Sequence, residues 1–201
     1  MKHYPAKRHR KSIRLKGYDY TRSGFYFVTI CCDRRQSLFG NIVNGAMQLN
    51  RYGEIVAESY RWLSRRYPYL ILDEWIIMPN HFHGIMVITN EPRRVVSRND
   101  PTVRTAPTLT RNDIVLTDKN LPINPELKRK SLGRLIGAFK TVSTKEINLI
   151  RNTPGTKVWQ RNYYEHIIRD ERALHNIRQY IINNPLSWEN DQLHPGNPSK
   201  W

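Results

Sequence analysis

The segment 70–88 most constrains how this chain can fold. Two apolar, largely β-branched and aromatic runs, 70–78 and 81–88, are separated only by Pro79 and Asn80. Pro and Asn are favoured in tight turns, and so short a connection joins neighbouring antiparallel strands. The sequence therefore predicts a β-hairpin, which needs further elements packed against it to be stable.

His81 and His83 lie on the second strand of this hairpin. Side chains alternate across a strand, so both imidazoles are predicted on one face and Phe82 on the other. Two neighbouring imidazoles make half of a metal site, or a pair that activates a phosphate. A lone strand histidine is more often structural, so the pair by itself leaves both interpretations open.

The remaining elements are predicted from periodicity and from turn and capping residues. They are a strand at 25–32, a weak strand at 46–49, a helix at 52–66 ended by Pro68, the hairpin strands, a helix capped by Ser131, a strand at 158–168, and a helix from the Asp170 cap to about Asn184. The order is strand, strand, helix, strand, strand, loop, helix, strand, helix. It predicts an α+β fold, a mainly antiparallel sheet with helices packed on it.

Three segments fall outside this pattern. Residues 1–22 form a basic arm with eight Lys or Arg against one acidic residue, Asp19. Residues 90–130 are rich in Pro, Thr, Arg and Asn without periodicity, which predicts a long loop or insertion. Residues 189–201 are predicted to be an irregular tail. The predicted organisation is thus an arm, one domain at 23–188, and a tail.

Positive charge is the strongest feature of the composition. The chain has 33 Lys and Arg against 17 Asp and Glu, a net charge of +16 and a pI near 10.1. This balance predicts a polyanionic partner, with nucleic acid first and an anionic membrane surface second. The basic stretch 7–16 lacks the apolar face of a membrane-binding helix, so we interpret it as a phosphate-binding arm. A solubilising tail is the alternative.

Cysteine usage and hydropathy indicate the compartment. Cys31 and Cys32 are adjacent, cannot easily bridge each other, and favour a reducing cytosol over a disulfide framework. No apolar run approaches the roughly 20 residues that span a bilayer. The basic N-terminus is not followed by an apolar signal core, so export is not expected.

The last predicted helix presents Tyr180 and Asn184 on its apolar stripe, one turn apart. The stripe consists of Ala173, Leu174, Ile177 and Ile181. A buried Asn needs a polar partner, which a metal ion or phosphate near the histidines would supply. From the helix alone, an aromatic anchor and a capping residue before Pro185 are the favoured interpretation.

Together these residues resemble a known family. Met78-Pro-Asn-His-Phe-His-Gly84, with Tyr180-Ile-Ile-Asn-Asn184-Pro about a hundred residues later, is similar to the single-tyrosine transposases with an HUH motif (histidine, bulky hydrophobic residue, histidine). The closer resemblance is to the REP-associated tyrosine transposases, through the basic arm and the sequences G-x-Y-F-V-T at 24–29, L-F-G at 38–40 and W-Q-R at 159–161. It covers nearly the whole chain except 90–130, and the combination is specific although no single motif is.

The resemblance implies a ferredoxin-like, HUH-endonuclease-like fold whose C-terminal helix bears the tyrosine. Tyr180 would be the nucleophile, and His81, His83 and Asn184 would bind Mg²⁺ or Mn²⁺, with the mixed nitrogen and oxygen ligands favouring Mn²⁺. The implied activity is cleavage and strand transfer of single-stranded DNA beside hairpins such as REP-like repeats, through a 5′-phosphotyrosine intermediate. The implied setting is a monomer or homodimer in the bacterial cytoplasm, associated with the nucleoid.

The candidate DNA-binding residues are basic side chains of the arm and of the second helix. They are Arg8, Arg10, Lys11, Arg14 and Lys16 in the arm, and Lys140 and Lys145 on the helix. In a protein of this kind, both sets could contact the phosphates of a bound DNA strand. Solvated surface is the alternative interpretation for each.

Other residues compete for the same roles. Tyr163 and Tyr164 are rival nucleophiles, ranked below Tyr180 because neither has an amide side chain one turn later. His166 is a second candidate ligand or a structural strand residue. His175 falls on the opposite side of the last helix from Tyr180 and is predicted to face solvent.

Three other functions are considered. A non-catalytic protein that binds hairpin DNA or RNA explains the charge but gives the histidines, tyrosine and asparagine no purpose. A zinc-dependent hydrolase is disfavoured because no third His, Cys or carboxylate stands at a usual spacing. An inactive relative that kept only hairpin binding is disfavoured because all four residues of the set are present.

Overall fold

The fold is taken from a computed structural model, which describes residues 14–90 and 129–197. These residues form six strands and three α-helices in the order β1-β2-β3-α1-β4-β5-α2-β6-α3. The strands are β1 Gly24–Cys31, β2 Gly40–Val43, β3 Ala46–Leu49, β4 Leu70–Met78, β5 His81–Ile88 and β6 Tyr164–Ile168; the helices are α1 Arg51–Arg66, α2 Leu132–Ile150 and α3 Glu171–Asn183.

Four strands form one antiparallel sheet in the order β4-β5-β1-β6, and β2 pairs with β3 in a separate hairpin. The connection from β1 to β4 passes over β5, and the connection from β5 to β6 passes over β1. This interleaving of strands is the ferredoxin-like arrangement. The predicted α+β class and mainly antiparallel sheet are confirmed.

The hairpin predicted at 70–88, which most constrains the fold, is present. Met78 pairs with His81 across the turn at Pro79 and Asn80. The register shifts between Leu72 and Trp75, so β4 has an irregularity in its middle. A strand irregularity of this kind re-aims nearby side chains, here Asp73.

The two faces of the sheet are covered differently. The two-helix face, formed by residues such as Tyr26, Val28 and Phe82, packs against α1 and α2. The one-helix face, formed by residues such as Phe27 and Ile85, packs against α3. His81 and His83 lie on the one-helix face because they alternate with Phe82 along β5, as predicted.

Aromatic residues dominate the two-helix face. The Phe82 ring lies 4.6 Å from that of Tyr60 in α1 and 5.3 Å from that of Phe139 in α2. Helix α1 begins at its cap Asn50, whose side chain accepts hydrogen bonds from the backbone N–H groups of Tyr52 and Gly53. The cap satisfies two N–H groups that have no partner inside the helix.

One predicted strand is shorter than expected, and one strand was not predicted. The strand predicted at 158–168 is limited to Tyr164–Ile168, because the Lys140 ammonium donates to the carbonyls of 160–162 and takes them out of a strand ladder. Strand β2 was missed, because Gly40 opens a strand rather than marking a turn. A side chain at Gly40 would meet the backbone oxygen of Gln48 on β3.

The chain stays regular for about two turns beyond the end of α3. A 3-10 segment continues directly from α3 over Asn184–Asn190, with Pro185 in its first turn. Proline is accepted there because the first N–H groups of a helix need no internal partner. This segment turns the chain back toward the hairpin, where the ring of Trp188 lies 6.0 Å from that of His81.

Some predictions fall on residues outside the described part of the chain. These include the arm residues Arg8, Arg10 and Lys11, nearly all of the predicted loop at 90–130, and the last four residues. Within the described part, none of the helices combines the length and apolar character needed to cross a membrane. Cys31 and Cys32 are free thiols.

Candidate metal and nucleophile site

The two histidines of β5 face each other at the end of the hairpin. Both are buried, and the Nε2 atoms of His81 and His83 lie 2.9 Å apart. The ring of Phe27, on the neighbouring strand β1, stacks on His83 at 5.5 Å between centroids. The hairpin turn and this ring fix both imidazoles in place.

Each imidazole is oriented through its Nδ1 atom. The side-chain oxygen of Asn80 lies 2.8 Å from Nδ1 of His81, and its amide group donates to the backbone oxygen of Leu193 at 2.7 Å. The amide oxygen can only accept, so His81 carries its proton on Nδ1 and has a lone pair on Nε2. The Thr29 hydroxyl, 2.8 Å from Nδ1 of His83, can donate or accept and serves either tautomer.

Both histidines are uncharged at neutral pH. Burial lowers the pKa of His83 to about 3. Burial, and then the proximity of His83, lowers the pKa of His81 well below its ordinary value. Neutral imidazole is the form that binds a metal ion, so neither side chain must first lose a proton.

Two oxygen-bearing side chains complete this group. Asn184, at the C-terminal cap of α3, is 2% exposed, and its side-chain oxygen has no hydrogen-bond partner among the described residues. Its amide nitrogen lies 3.5 Å from the Asp191 carboxylate. One ligand atom each of His81, His83 and Asp191 lies within 4.8 Å of the others.

This group could hold a divalent metal ion. Two ligands about 2.1 Å from one ion and at right angles are about 3 Å apart, which agrees with the separation of the two Nε2 atoms. A buried oxygen without a partner, as in Asn184, costs free energy unless something binds it. Two imidazoles with amide and carboxylate oxygens suit Mn²⁺ or Mg²⁺.

Asp191 was missed in the sequence, because it stands more than a hundred residues after the histidines and not at a usual ligand spacing, yet the fold brings its carboxylate to them. The residue follows the 3-10 segment, in a stretch predicted to be irregular. The available signals were Pro185, which suits the first turn of a short helix, and Trp188, an aromatic residue able to pack back onto the hairpin. Asn80 was likewise interpreted only as a turn residue.

Tyr180 reaches the same place from α3. Its hydroxyl lies 3.2 Å from Nε2 of His83, and its ring is 45% exposed rather than buried on the apolar stripe. Burial, and then the charge of Asp191, raises the pKa of Tyr180 to about 12. The structure thus brings Tyr180 and both histidines together, with Asn184 next to Asp191 of the same group, and their roles stay predictions.

An ion pair fastens α3 to the sheet. The Arg178 guanidinium donates to both oxygens of Asp73, with Nε–Oδ1 at 2.7 Å and Nη2–Oδ2 at 2.5 Å. Both side chains are largely buried, and Asp73 lies at the irregularity of β4. Arg178 precedes Tyr180 by two residues, so this pair sets the position of the tyrosine relative to the hairpin.

The rival tyrosines lie on opposite faces of the sheet edge. Tyr163 packs against the two-helix core, its hydroxyl accepts a hydrogen bond from Arg14 at 2.8 Å, and burial, then Glu165, raises its pKa. Tyr164 lies on the one-helix face opposite Thr29 and is 46% exposed. His166 and His175 are both exposed.

The basic candidates that the structure describes differ in their surroundings. Arg14 also lies 3.8 Å from the Glu165 carboxylate. Lys140 donates to three backbone carbonyls, and burial lowers its pKa to about 8. Lys16 and Lys145 are exposed. Their roles in binding DNA stay predictions.

Comparison with known proteins gives one close relative and a shared fold. No protein-family model matches the chain. It is 40% identical over 193 residues to an uncharacterized protein of Haemophilus influenzae, covering 92% of this chain and 93% of the other. The solved structure of a REP-associated tyrosine transposase bound to a REP hairpin superposes with a TM-score of 0.52 at 16% identity, covering 96% of this chain and 91% of the other.

Proposed function

Since the chain belongs to one family with the Haemophilus influenzae protein and has the fold of the REP-associated tyrosine transposase, we propose that it is itself a tyrosine transposase. It cleaves and rejoins single-stranded DNA beside hairpins in a metal-dependent reaction. The fold supports the family that the sequence resembles. The site residues support the chemistry.

One observation carries the proposal. The Tyr180 hydroxyl lies 3.2 Å from Nε2 of His83, which in turn lies 2.9 Å from Nε2 of His81. A structural tyrosine on α3 would not need a hydroxyl aimed at a pair of neutral imidazoles. A nucleophile needs that placement, because the scissile phosphate must contact both the hydroxyl and the group that polarises it.

The reaction exchanges one phosphodiester for another. The Tyr180 oxygen forms a bond to phosphorus and loses its proton, the bond from phosphorus to the 3′ oxygen breaks, and that oxygen gains a proton. The product is a 5′-phosphotyrosine and a free 3′-hydroxyl, which can attack in the reverse step. A divalent ion held by His81, His83, Asn184 and Asp191 would supply the positive charge that stabilises the reacting phosphate.

The substrate follows from charge and from the exposure of the site. With a net charge of +16, the protein attracts a polyanion. Tyr180, on α3, is 45% exposed, so a single strand could approach it without a base being extracted from a duplex. The solved transposase with this fold is bound to a REP hairpin, and we propose hairpin DNA of the same general kind here.

The test is a covalent protein–DNA adduct. The purified protein is incubated with Mn²⁺ and end-labelled single-stranded hairpins from the flanks of its own gene, then resolved on a denaturing gel. We expect an adduct that depends on the ion and is absent from Tyr180→Phe. Tyr52→Phe, a tyrosine of α1 at the opposite face, is the matched control and keeps the adduct.

The rival tyrosines are tested in the same gel. Tyr163→Phe and Tyr164→Phe are expected to form the adduct. If one of these variants loses it and Tyr180→Phe retains it, the nucleophile moves to that residue. Tight hairpin binding with no adduct from any variant would favour the non-catalytic binding protein instead.

Asp191 favours a second candidate, a metal-dependent phosphodiester hydrolase. Two imidazoles and a carboxylate form a usual ligand set for a hydrolytic metal site, with water as the nucleophile. The products distinguish the two. Hydrolysis leaves no covalent protein–DNA band and survives Tyr180→Phe.

A further inference from the structure

Two aromatic side chains stand out on the surface of the described part of the chain. Among the large hydrophobic residues that are exposed there, the aromatic ones are Tyr164 and Tyr180, at 46% and 45% exposure. Tyr164 lies on the one-helix face of the sheet, and Tyr180 lies on α3, which packs on that face. Tyr180 has a proposed role as the nucleophile, whereas nothing so far accounts for the exposure of Tyr164.

Tyr164 is held at a fixed place beside the proposed reaction centre. In the register of the sheet Tyr164 lies opposite Thr29, which lies opposite His83, so the three form a row across β6, β1 and β5. The Phe27 ring lies 6.3 Å from the ring of Tyr164 and 6.1 Å from that of Tyr180. Both exposed rings therefore border the same buried aromatic ring.

The surroundings of Tyr164 suit an extended polyanion. Its strand is flanked by the exposed Arg161 and Arg169. His166, the next residue of β6 on the same face, lines a cavity of about 330 Å³ together with Arg169 and the acidic Glu165 and Asp170. A strand of DNA lying along β6 would meet positive charge at both ends and an exposed ring in the middle.

We propose that Tyr164 is the stacking platform for a nucleobase of the single strand whose phosphate Tyr180 attacks. This inference rests on the proposed function for the identity of the ligand. Exposed aromatic rings bind single strands by stacking on bases, which requires the ring and not the hydroxyl. Stacking at Tyr164 would fix the register of the strand, and so select the phosphate that reaches Tyr180.

The test is a binding cycle between the side chain and the base. All variants are made in a Tyr180→Phe background, so that no DNA is cleaved, and the dissociation constant of a labelled hairpin with a flanking single strand is measured by fluorescence anisotropy. A second series of oligonucleotides carries one abasic site, moved nucleotide by nucleotide through the flank. Leu149→Ala, which removes an exposed side chain of α2, is the control.

We expect Tyr164→Ala to weaken binding by about 5- to 150-fold, the range for losing one stacked base, and Tyr164→Phe and Tyr164→Trp to bind within about twofold of the parent. One abasic position should weaken DNA binding by the parent protein as much as Tyr164→Ala does. On that oligonucleotide, Tyr164→Ala should weaken binding no further. Equal affinity of Tyr164→Ala and the parent overturns the proposal. So does a loss that is the same for every abasic position, or a drop in melting temperature that accounts for the weaker binding.

The two proposals fail separately. An adduct at Tyr180 together with normal binding by Tyr164→Ala retains the transposase and removes the platform. The binding cycle needs no cleavage, so base-dependent binding at Tyr164 without any adduct retains the platform and removes the transposase. An adduct lost in Tyr164→Phe would show a hydroxyl role and overturn the stacking proposal.

Discussion

The two faces of the sheet bury the same strands by different means. Phe82 and His83 are neighbours on β5, and both are buried. Phe82 is enclosed by the rings of α1 and α2, whereas His83 is enclosed by polar partners and by Phe27. Buried polar atoms are stable only when they are paired, so the stability of the one-helix face depends on specific hydrogen bonds. The stability of the two-helix face depends instead on how well its apolar side chains fill the available volume.

The two faces also differ in how much of their surface a substrate can reach. Helices α1 and α2 cover their face, while α3 leaves Tyr164 and Tyr180 about half exposed on the other. A substrate can approach only an open face. We therefore expect substitutions on the two-helix face to reduce the free energy of unfolding, and many on the one-helix face to reduce binding or reaction first.

The largest effect is expected for Phe82→Ala. Loss of this buried ring, which contacts Tyr60 and Phe139, should lower the free energy of unfolding by about 3–5 kcal/mol. His83→Ala should lower the free energy of unfolding by clearly less, because the imidazole is smaller than the Phe82 ring and its loss also removes the free-energy cost of burying its own polar atoms. Urea denaturation of both variants without metal tests this, and a larger loss for His83→Ala would contradict the comparison.

The ion pair between Asp73 and Arg178 comes next. Asp73→Asn should lower the free energy of unfolding by about 3 kcal/mol, because a largely buried guanidinium loses its charged partner. It should also reduce adduct formation by Tyr180, which the pair positions. Replacing both partners, as Asp73→Leu with Arg178→Met, should recover stability but not the reaction, measured by denaturation and by the adduct assay.

Metal binding should stabilise the one-helix face. Mn²⁺ at about 100 times its dissociation constant should add about 2.7 kcal/mol to the free energy of unfolding and raise the melting temperature. The increase should vanish in His83→Ala and shrink in Asp191→Asn, since each removes a candidate ligand. Ser131→Ala, remote from the group, keeps it. The same increase in all three variants would place the ion elsewhere.

The sequence predicted what depends on local pattern. The hairpin, its turn at Pro79 and Asn80, and the placement of His81 and His83 on one face follow from alternation along the chain, and the structure confirms them. Its spacing placed Asn184 on the apolar stripe of the last helix, and the residue is buried there with no hydrogen-bond partner for its side-chain oxygen among the described residues. The resemblance to a known family added the fold, which the comparison confirms.

Contacts between distant segments were beyond local pattern. Lys140, on α2, donates hydrogen bonds to the carbonyls just before β6 and so shortens this strand. No periodicity in 158–168 reveals that contact. Asp191 joins the histidines only because the 3-10 segment returns to the hairpin. Tyr180 was placed on an apolar stripe by its spacing, but the open face leaves it half exposed.

The smallest effects on stability are expected at the N-terminal caps of α3 and α2, one helix from each face of the sheet. Asp170 accepts a hydrogen bond from the backbone N–H of Ala173 at 2.7 Å, whereas the Ser131 side chain makes no capping bond to α2. Asp170→Ala should therefore lower the free energy of unfolding by about 1 kcal/mol, and Ser131→Ala should change it by less than about 0.5 kcal/mol.

Among the described residues α3 is the one α-helix on its face, so fraying at its first turn should also reach the site. Amide hydrogen exchange in the first turn of α3 should quicken in Asp170→Ala, and the adduct yield should fall modestly, while Ser131→Ala changes neither. Equal stability losses in the two variants would mean that Ser131 caps α2 in solution. An unchanged adduct yield in Asp170→Ala would mean that the Asp73–Arg178 pair holds Tyr180 without help from the helix start.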